Sequence, residues 1–423
     1  MRALRSTFLP LAVLIGCSAG GGANGNAAPT AAEAEAGSQP RTPLAAAPFA
    51  VEPVGAFDQP WAIAFLTDGS ALVTEKDGRL KLWRRGQPVR QVAGVPAVAR
   101  GGQGGLLGVA LSPGFATDRL VYLTYSEPQA AGGSGLSLAR ARLGGDAAAP
   151  RLEGLAVLWR DAAGGRGGQF GAIVAFSPDG RFLFLSSGER QRFTPAQDPS
   201  QPLGKILRLT LDGKPAPGNP WAGRTGSTRV TVTDPPENTE LAKTAPGRTV
   251  AVPAPNLTPA ETWSTGHRNP YGLAFAPDGR LWSEEMGPRG GDELNLIEPG
   301  RNYGWPLVSE GDNYDGTPIP RHRTRPDLTP PVLYWNPSIS PGGMVFYSGR
   351  LFPAWKGNAF IAALSGKGLI RVVVTGASAR KAEMWDFGTR LRDVKEGPDG
   401  ALYVLEDGER GSPGRLLRLA PKR

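Results

Sequence analysis

The residues with the clearest chemical potential lie between positions 266 and 306. Arg268 and Asn269 directly precede a hydrophobic strand pattern, and an acid-rich Gly-Pro loop follows at residues 284–295. An arginine guanidinium binds a carboxylate through two parallel hydrogen bonds, whereas Ca²⁺ prefers carbonyl and carboxylate oxygens. The order of these residues therefore predicts an anion-binding arginine beside an oxygen-rich cation site, which suits a polycarboxylate cofactor held against Ca²⁺.

A second basic pair supports the anion site. Arg390 and Arg392 alternate along another predicted strand, so both side chains face the same side of a sheet. Each feature alone has an ordinary alternative: a solvated strand face for this pair, and a cap on loop carbonyls for Arg268. Because Arg268 precedes one predicted hairpin and the Arg390–Arg392 pair precedes another, we favour the interpretation that these arginines converge on one anion. The 285–293 loop lacks the spacing of an EF-hand, so a polar turn with solvated acids is the alternative to a cation site.

The composition argues against several other kinds of site. The chain has 423 residues but only two histidines, His267 and His322, which leaves little material for a Ser-His-Asp triad or a multi-histidine zinc site. The formal net charge is +9, but the basic residues are interspersed with acids and form no basic face. We therefore expect no nucleic-acid partner.

The N-terminal residues predict an exported, lipid-anchored protein. Residues 1–16 read as a signal peptide, with two arginines before a short apolar stretch. Leu14-Ile15-Gly16-Cys17 resembles a bacterial lipobox, and Cys17 is the only cysteine. Residues 17–48 are rich in Gly, Ala and Pro and predict a flexible tether. Cys17 would anchor the chain to a bacterial envelope membrane on the periplasmic side, and Ser18 is compatible with the outer membrane.

The rest of the chain predicts an all-β domain over residues 49–421. An apolar strand, a turn usually written Asp-Gly and a second apolar strand recur at residues 61–75, 109–124, 174–185, 273–282, 344–361 and 395–405. Asp-Gly supplies the positive φ of a two-residue hairpin turn. Six hairpins predict a six-bladed β-propeller of four-stranded antiparallel blades, because radial repetition protects sheet edges. A β-sandwich is the alternative. Long loops at 190–203, 212–265 and 306–335 are expected to cover one mouth.

Several motifs occur in order along this domain. They include Q-G-G-L-L-G at 103–108, G-H-R-N-P at 266–270, E-M-G-P-R-G-G-D-E at 285–293, N-Y-G-W-P at 302–306 and R-L-R-D-V at 390–394. On these motifs the domain resembles the soluble quinoprotein glucose/sorbosone dehydrogenases, six-bladed propellers also called aldose sugar dehydrogenases. The resemblance covers essentially all of residues 49–421.

The resemblance implies binding of pyrroloquinoline quinone (PQQ) and Ca²⁺ over one mouth of the propeller. It also implies oxidation of an aldose sugar or related alcohol by hydride transfer to the quinone, with electrons passed to an external acceptor. Arg268 would stabilise developing negative charge. The side chains implied to contact PQQ are Gln103, Arg268, Asn269, Trp335, Arg390 and Arg392. The main-chain oxygens of Gly287 and Pro288 would hold the cofactor's Ca²⁺, and a second calcium region would comprise Asp292, Glu293 and the Tyr303 carbonyl.

The chain departs from the family pattern at the expected base. The histidine that acts as base in the family's His-x-Gly-Gly-Arg-Leu segment is Gln169 here. An amide accepts a proton poorly, and loss of a positioned base costs roughly 10²–10⁴ in rate. Either another group serves as base, with Glu189, Asp198 or a Ca²⁺-bound water as candidates, or the domain is a non-catalytic PQQ- or carbohydrate-binding propeller. The glycine-rich run at 164–171 nevertheless predicts close approach of a flat ligand.

Two further positions differ from the family pattern. Tyr271 stands where the family has a glutamine, and Ser365 stands where it has a cofactor-binding lysine. Lys367, two residues further on, is the expected substitute for that lysine in cofactor binding.

Overall fold

Six antiparallel sheets follow one another along the chain and are numbered as blades 1 to 6. A computed structural model describes residues 36–130, 132–233 and 247–422. Blade 1 comprises Pro60–Phe65, Ala71–Glu75, Arg79–Trp83 and Arg90–Val92; blade 2 Leu106–Leu111, Leu120–Pro128, Ser134–Gly144 and Arg151–Arg160; blade 3 Gly171–Phe176, Phe182–Ser187, Lys205–Thr210 and Thr262–Thr265. Blade 4 comprises Pro270–Phe275, Leu281–Glu285, Asp292–Ile297 and Leu333–Trp335; blade 5 Pro341–Phe346, Ala359–Ala363, Gly368–Thr375 and Ser378–Asp386; blade 6 Leu391–Glu396, Leu402–Glu406, Arg415–Pro421 and Phe49–Ala56.

The blades close into a ring. The first strands of successive blades lie side by side, and the first strand of blade 6 lies beside that of blade 1. Blade 6 takes its outermost strand from near the N-terminus, because Phe49–Ala56 pairs antiparallel with Arg415–Pro421. The predicted six-bladed propeller of four-stranded blades is confirmed, and the sandwich alternative is wrong.

The hydrophobic core is divided among the interfaces between blades. The cluster between blades 4 and 5 includes Trp282, Leu294 and Met344, and the cluster between blades 5 and 6 includes Phe49 and Trp385. The second strands of blades 1, 4, 5 and 6 are buried at every residue. Their apolar runs follow from burial on both faces, since each blade packs against a neighbour on either side.

The Asp-Gly turns are longer than the predicted two-residue turns. In blade 1, Leu66 N donates to Ser70 O, and Gly69 alone in this turn has a positive φ, 83°. Asp68 instead accepts the Ser70 N–H through its carboxylate at 3.0 Å. The aspartates of the turns in blades 3, 4 and 6 accept from the residue two positions on in the same way. The glycine therefore supplies the positive φ, while the aspartate caps the turn.

The remaining elements lie mainly in the three predicted loops, which contain secondary structure. Strands Arg229–Val232 and Arg248–Ala251 pair within 212–265. The short helices are Phe115–Asp118 and Thr258–Glu261, and the 3₁₀ turns are Leu44–Ala46, Thr194–Ala196, His322–Thr324 and Pro353–Trp355. None of the helices in the described ranges has the length and apolar character needed to cross a membrane.

The folded part of the chain begins before Phe49. Thr42–Pro43 pairs parallel with the fourth strand of blade 5, and Gln39 Nε2 donates to Ala382 O at 3.3 Å. Ala47 is 1% exposed. The predicted flexible tether therefore does not hold for residues 36–48, because their backbone and side chains find partners on blade 5. The predicted signal peptide, Cys17 and the tether as far as residue 35 lie outside the described residues.

Candidate active site

The predicted site residues precede the first strands of several blades. Gln103, Gln169, Arg268 with Asn269, and Arg390 stand at or just before the starts of these strands in blades 2, 3, 4 and 6. Gln103 Oε1 accepts hydrogen bonds from Gln169 N at 2.8 Å and from the Tyr271 hydroxyl at 2.9 Å. Asn269 Oδ1 accepts from Gly171 N at 3.2 Å. The structure thus brings blades 2, 3 and 4 together at one end of the ring.

Arg268 is held from both its backbone and its side chain. Its backbone N–H donates to Glu285 Oε2 at 2.7 Å, and its Nη1 donates to the carbonyls of Met286 at 3.0 Å and Gly287 at 2.7 Å. The guanidinium carbon lies 5.2 Å from the centre of the Trp305 ring. Arg268 is only 4% exposed, so its charge is fixed in direction before any ligand arrives.

Glu285 connects Arg268 to a buried hydrogen-bond chain. Glu285 Oε1 accepts from His267 Nδ1 at 3.0 Å and from Asn295 Nδ2 at 2.9 Å. The other ring nitrogen of His267 lies 2.8 Å from Ser264 Oγ. This Ser-His-Glu order resembles a hydrolase triad, but Ser264 and His267 are 0% exposed, so no substrate reaches the hydroxyl. The chain is structural, and it positions Arg268.

Arg390 and Arg392 converge on a carboxylate of the protein itself. Arg390 Nε donates to Asp407 Oδ2 at 2.7 Å, and Arg392 donates to Oδ1 through Nε at 2.8 Å and Nη2 at 2.5 Å. The Arg392 guanidinium also lies 6.0 Å from the Tyr271 ring, which places blade 6 at the same end as blade 4. Burial alone would raise the Asp407 pKa, but Arg392 and Arg390 hold it below its ordinary value. Sequence reasoning identified the arginine pair but missed this partner.

The glycine-rich run has a cause other than a flat ligand. Arg190 Nη2 and Nε donate to the carbonyls of Gly167 at 2.9 Å and Gly168 at 3.1 Å, and Arg192 Nη2 donates to those of Gly164 and Arg166. Both arginines are at most 1% exposed. The small residues thus let the backbone fold around two buried guanidinium groups, and this fixes Gln169 with φ at +54°.

The side chains predicted for the second calcium region do not face one another. Adjacent strand residues point to opposite faces, so Asp292 and Glu293 diverge. Asp292 accepts from Gly287 N at 2.8 Å and from Ile339 N and Ser340 N, both at 2.7 Å. Burial raises the pKa of Asp292 to about 6. Glu293 lies on the other side, where burial raises its pKa to about 8 and His322 opposes that rise.

The Tyr303 carbonyl, also predicted to bind calcium, accepts a hydrogen bond from His322. Nε2 of His322 lies 3.0 Å from this carbonyl, and Nδ1 lies 3.0 Å from Glu310 Oε1. Both partners are acceptors, so both ring nitrogens donate and the ring is cationic. Burial alone would lower the His322 pKa, but Glu310 and Glu293 raise it above its ordinary value. Within the described ranges, no three His, Cys, Asp or Glu side chains form a metal-binding group.

Of two further predicted cofactor contacts, Trp335 is buried and Lys367 is exposed. Trp335 is 1% exposed in the core between blades 4 and 5, and its indole N–H donates to Gln39 Oε1 at 2.5 Å. Its ring is therefore not open to a ligand in this structure, which argues against the predicted contact with PQQ. Lys367 is exposed in the turn after the second strand of blade 5, as is Ser365. Both lie on the site side of that blade, because its second strand returns there.

The residues that sequence reasoning missed follow the second strands of the blades. Glu285 and Asp407 stand at the ends of these strands in blades 4 and 6, and Lys76 stands at the same point in blade 1. Lys76 Nζ donates to the Gly102 carbonyl at 3.1 Å, beside Gln103. The available signal was a charged residue at the ends of the second strands of blades 1, 4 and 6.

The fold and this site define the chain as a six-bladed propeller whose one end presents buried arginines. A family model described as Glucose / Sorbosone dehydrogenase matches residues 57–233 and 248–418, and the chain belongs to that family. The resemblance inferred from its motifs is thereby confirmed.

Three comparisons show how similar this chain is to known proteins. Aldose sugar dehydrogenase YliI of Escherichia coli (strain K12) is 36% identical over 373 residues, which cover 86% of this chain and 91% of that protein. The apo-form crystal structure of the soluble aldose sugar dehydrogenase from Escherichia coli has a TM-score of 0.76 at 36% identity, covering 88% and 100%. The PQQ-bound form of the aldose sugar dehydrogenase from Streptomyces coelicolor has a TM-score of 0.64 at 26% identity, covering 88% and 98%.

Proposed function

We propose that this chain binds PQQ at the end of the ring that carries Arg268 and oxidises an aldose sugar or related alcohol. Family membership and the PQQ-bound relative support this class of reaction. The observation that carries the proposal is the placement of Arg268, Arg390 and Arg392 at one end. Asp407 does not use every donor of this arginine pair: in the described part of the chain, both terminal nitrogens of Arg390 and Nη1 of Arg392 have no hydrogen-bond partner. These N–H groups can bind the carboxylates of a planar polycarboxylate such as PQQ.

The side chains around this end have distinct tasks in such a reaction. Bound PQQ supplies a quinone that accepts a hydride and therefore two electrons. Arg268 presents a fixed positive charge that favours negative charge developing beside it. Gln103 and Asn269 fix the backbone at Gln169 and Gly171, and so set the shape of the floor. The Gln169 amide can orient a hydroxyl group but does not take up its proton. An external acceptor would remove the electrons.

Calcium has weaker support from the residues present. The carbonyls of Gly287 and Pro288 are the predicted ligands of the cofactor's Ca²⁺, and that of Gly287 already accepts a hydrogen bond from Arg268. The side chains of Asp292 and Glu293 point to opposite faces of their strand. Asp292 and Glu293 therefore do not share one cation site, the Gly287 and Pro288 carbonyls stay the proposed ligands, and no step is assigned to the ion. PQQ titration after chelation, with and without added Ca²⁺, tests the Gly287 and Pro288 carbonyls. Affinity that is at least tenfold higher with Ca²⁺ supports them as ligands, and equal affinity rejects them.

Titration of the purified protein with PQQ, followed by absorbance, tests binding. Arg268→Ala should weaken PQQ binding by about 10- to 150-fold, because a hydrogen bond to a charged group contributes about 1.5–3 kcal/mol. Arg181→Ala is the matched control, since this arginine lies in the turn at the opposite end of blade 3 and its side chain is 71% exposed. Equal affinities of wild type and Arg268→Ala would contradict the arginine site.

Turnover is a separate question, because Gln169 is an amide. A non-catalytic PQQ- or carbohydrate-binding propeller is the second candidate, and the absence of a base at residue 169 favours it. Addition of aldoses with an electron-accepting dye distinguishes the two: dye reduction supports the enzyme, and binding without reduction supports the second candidate. Gln169→His should raise the rate, by as much as roughly 10²–10⁴, because histidine tolerates the φ of +54° found here. No gain would mean that the site is built for other work.

We also propose that lipidated Cys17 retains the protein at the periplasmic side of a bacterial envelope membrane, the outer membrane in particular. The lipobox-like residues 14–17 and Ser18 support this placement. Membrane fractionation of wild type and Cys17→Ser tests it, with release of the variant into the soluble fraction as the expected result. Retention of both forms would contradict the anchor.

A further inference from the structure

The carboxylates beside the site already have hydrogen-bond donors. Glu285 accepts from Arg268 N and His267, Asp292 accepts from three backbone N–H groups, and Asp407 accepts from two arginines. Glu189 accepts from the backbone N–H groups of residues 191–193. A carboxylate with this many donors is a structural group, because taking up a proton would cost it those hydrogen bonds.

Glu284 differs from all of these. Its side chain is 0% exposed in the second strand of blade 4, and neither carboxyl oxygen has a hydrogen-bond partner in the described residues. A buried polar group without a partner is rare in a folded protein. The charged side chains that face it are Asp292, Glu285, Asp393 and Lys395, three acids and one base. Burial and these acids raise the Glu284 pKa well above its ordinary value, which favours the neutral, protonated form of this buried and unpartnered carboxyl group.

The Glu284 carboxyl lies against the wall of the central channel. Its Oε1 is 2.5 Å from where a Cβ on Gly272 would stand, so the acid fits only because residue 272 is glycine. Gly272 lines a central cavity of about 60 Å³ together with Tyr271, Asp393 and Lys395. This volume has room for water, which needs roughly 10–15 Å³ of such space and two or more polar partners. Tyr271 belongs to the site, through its hydrogen bond to Gln103.

The opposite side of the cavity leads toward solvent. Asp393 Oδ1 accepts from Lys395 Nζ at 2.9 Å, and Oδ2 accepts from Ile63 N at 3.1 Å. The Lys395 side chain is 35% exposed, while that of Asp393 is 5% exposed. Glu284, the small central cavity and the partly exposed Asp393–Lys395 pair therefore adjoin one another, and Tyr271 connects the cavity to the site.

We propose that Glu284 is a proton-relay residue that connects the floor of the site, through the central cavity, to Asp393 and Lys395. The use of the relay rests on the proposed function. Oxidation of CH–OH to C=O removes two electrons and two protons, and a hydride carries both electrons and one proton to the quinone. The second proton leaves the hydroxyl, and the amides and arginines of the site do not accept it. It binds one oxygen of Glu284 while the proton on the other oxygen leaves through cavity water to solvent beside the Asp393–Lys395 pair. That pair orients the water and takes up no proton itself, so Glu284 ends unchanged.

Infrared spectroscopy of the protein without added ligand tests the relay directly. The carbonyl stretch of a protonated carboxylic acid should appear in the difference spectrum between wild type and Glu284→Gln, and it should shift within minutes of transfer into D₂O. Asp393→Asn should slow that shift at least tenfold. Glu261→Gln is the control, because Glu261 is another buried acid of raised pKa but bonds to Trp159 and lies outside the central cavity. Its loss should leave the exchanging band in place. Glu284→Leu replaces Glu284→Gln if the latter fails to fold.

Two results would overturn the relay: no protonated-acid band assigned to Glu284 at neutral pH, or a band that exchanges only over hours. Turnover then tests its use. If the wild type reduces the dye, Glu284→Gln should lower the rate at least tenfold while PQQ affinity stays within twofold, and an unchanged rate would reject the role in catalysis. If the wild type binds no PQQ, the proposed function fails, whereas a rapidly exchanging Glu284 band would still establish the acid and its path.

Discussion

Replacement of Asp407 by asparagine tests how the arginine pair is held. Asp407 has a side chain that is 0% exposed, and its carboxylate accepts three hydrogen bonds from Arg390 and Arg392, whose side chains are 16% and 7% exposed. Asp407→Asn keeps the shape but removes the charge, and it places an amide N–H₂ against a guanidinium donor. Removing one partner of a buried ion pair costs about 3–5 kcal/mol.

That cost translates into a measurable shift in melting temperature. Unfolding entropy of about 2.1 cal/mol/K per residue gives roughly 0.8 kcal/mol/K for a domain of this size, so Asp407→Asn should lower Tm by about 4–6 °C in calorimetry. Glu383→Gln is the matched control, because Glu383 also pairs with an arginine, Arg371, but its side chain is 40% exposed. An exposed pair contributes about 0–1 kcal/mol, and so no more than about 1–2 °C. Equal shifts for the two variants would refute the buried pair.

The same pair predicts the direction of acid unfolding. The Asp407 pKa lies below its ordinary value of 3.8 in the folded protein. Its stabilising effect is therefore complete above that value and is lost as the pH falls through the lower, folded pKa. Unfolding free energy measured between pH 5 and pH 2 should fall more steeply for wild type than for Asp407→Asn. Parallel curves would contradict this assignment.

Three further substitutions test other parts of the site. Glu285→Gln should lower the free energy of unfolding in denaturant by about 1–3 kcal/mol and weaken PQQ binding, because an amide N–H₂ would face donors that include Arg268 N–H. Unchanged PQQ affinity would show that the backbone of Arg268 needs no such support. Gly272→Ala should lower the free energy of unfolding by about 1–3 kcal/mol, because the added methyl group would clash with Glu284. Adding Glu284→Ala should remove that loss, whereas additive losses in the double variant would contradict the contact. Trp335→Phe should leave PQQ affinity within twofold, because the indole is buried, and a tenfold loss would restore it as a cofactor contact.

The hairpins were predictable from sequence because their causes are local. A glycine after an aspartate supplies positive φ wherever it occurs, and the flanking apolar runs are the first two strands of each blade. The closure of the ring was not predictable in this way, since Phe49–Ala56 pairs with strand Arg415–Pro421 at the other end of the chain. Residues 36–48 were misassigned for the same reason, because their partners on blade 5 are far away in sequence.

The candidate site shows the same limit. Arg268, Arg390 and Arg392 were found because arginines before predicted strands are visible in sequence. Their supports, Glu285 and Asp407, were missed because each lies on a different strand from its partner and reaches it only in the fold. Asp292 and Glu293 were grouped because they are adjacent, although adjacency on a strand sends their side chains apart. Sequence thus identified the cations but not the acids that orient them.

The backbone around Gln169 favours a binding site that is still in use. Five non-glycine residues there have positive φ: Gln169 at 54°, Ala172 at 75°, Arg190 at 62°, Gln191 at 61° and Phe193 at 61°. Such conformations cost of order 1–3 kcal/mol each and persist only where surrounding contacts impose them. Here those contacts come from Gln103 and the buried arginines, which hold the loop before any ligand arrives. Because this cost is concentrated beside Arg268 and Asn269, it supports the binding site proposed there. Whether a ligand bound there also turns over depends on where its proton goes, which makes Glu284 the decisive residue to measure.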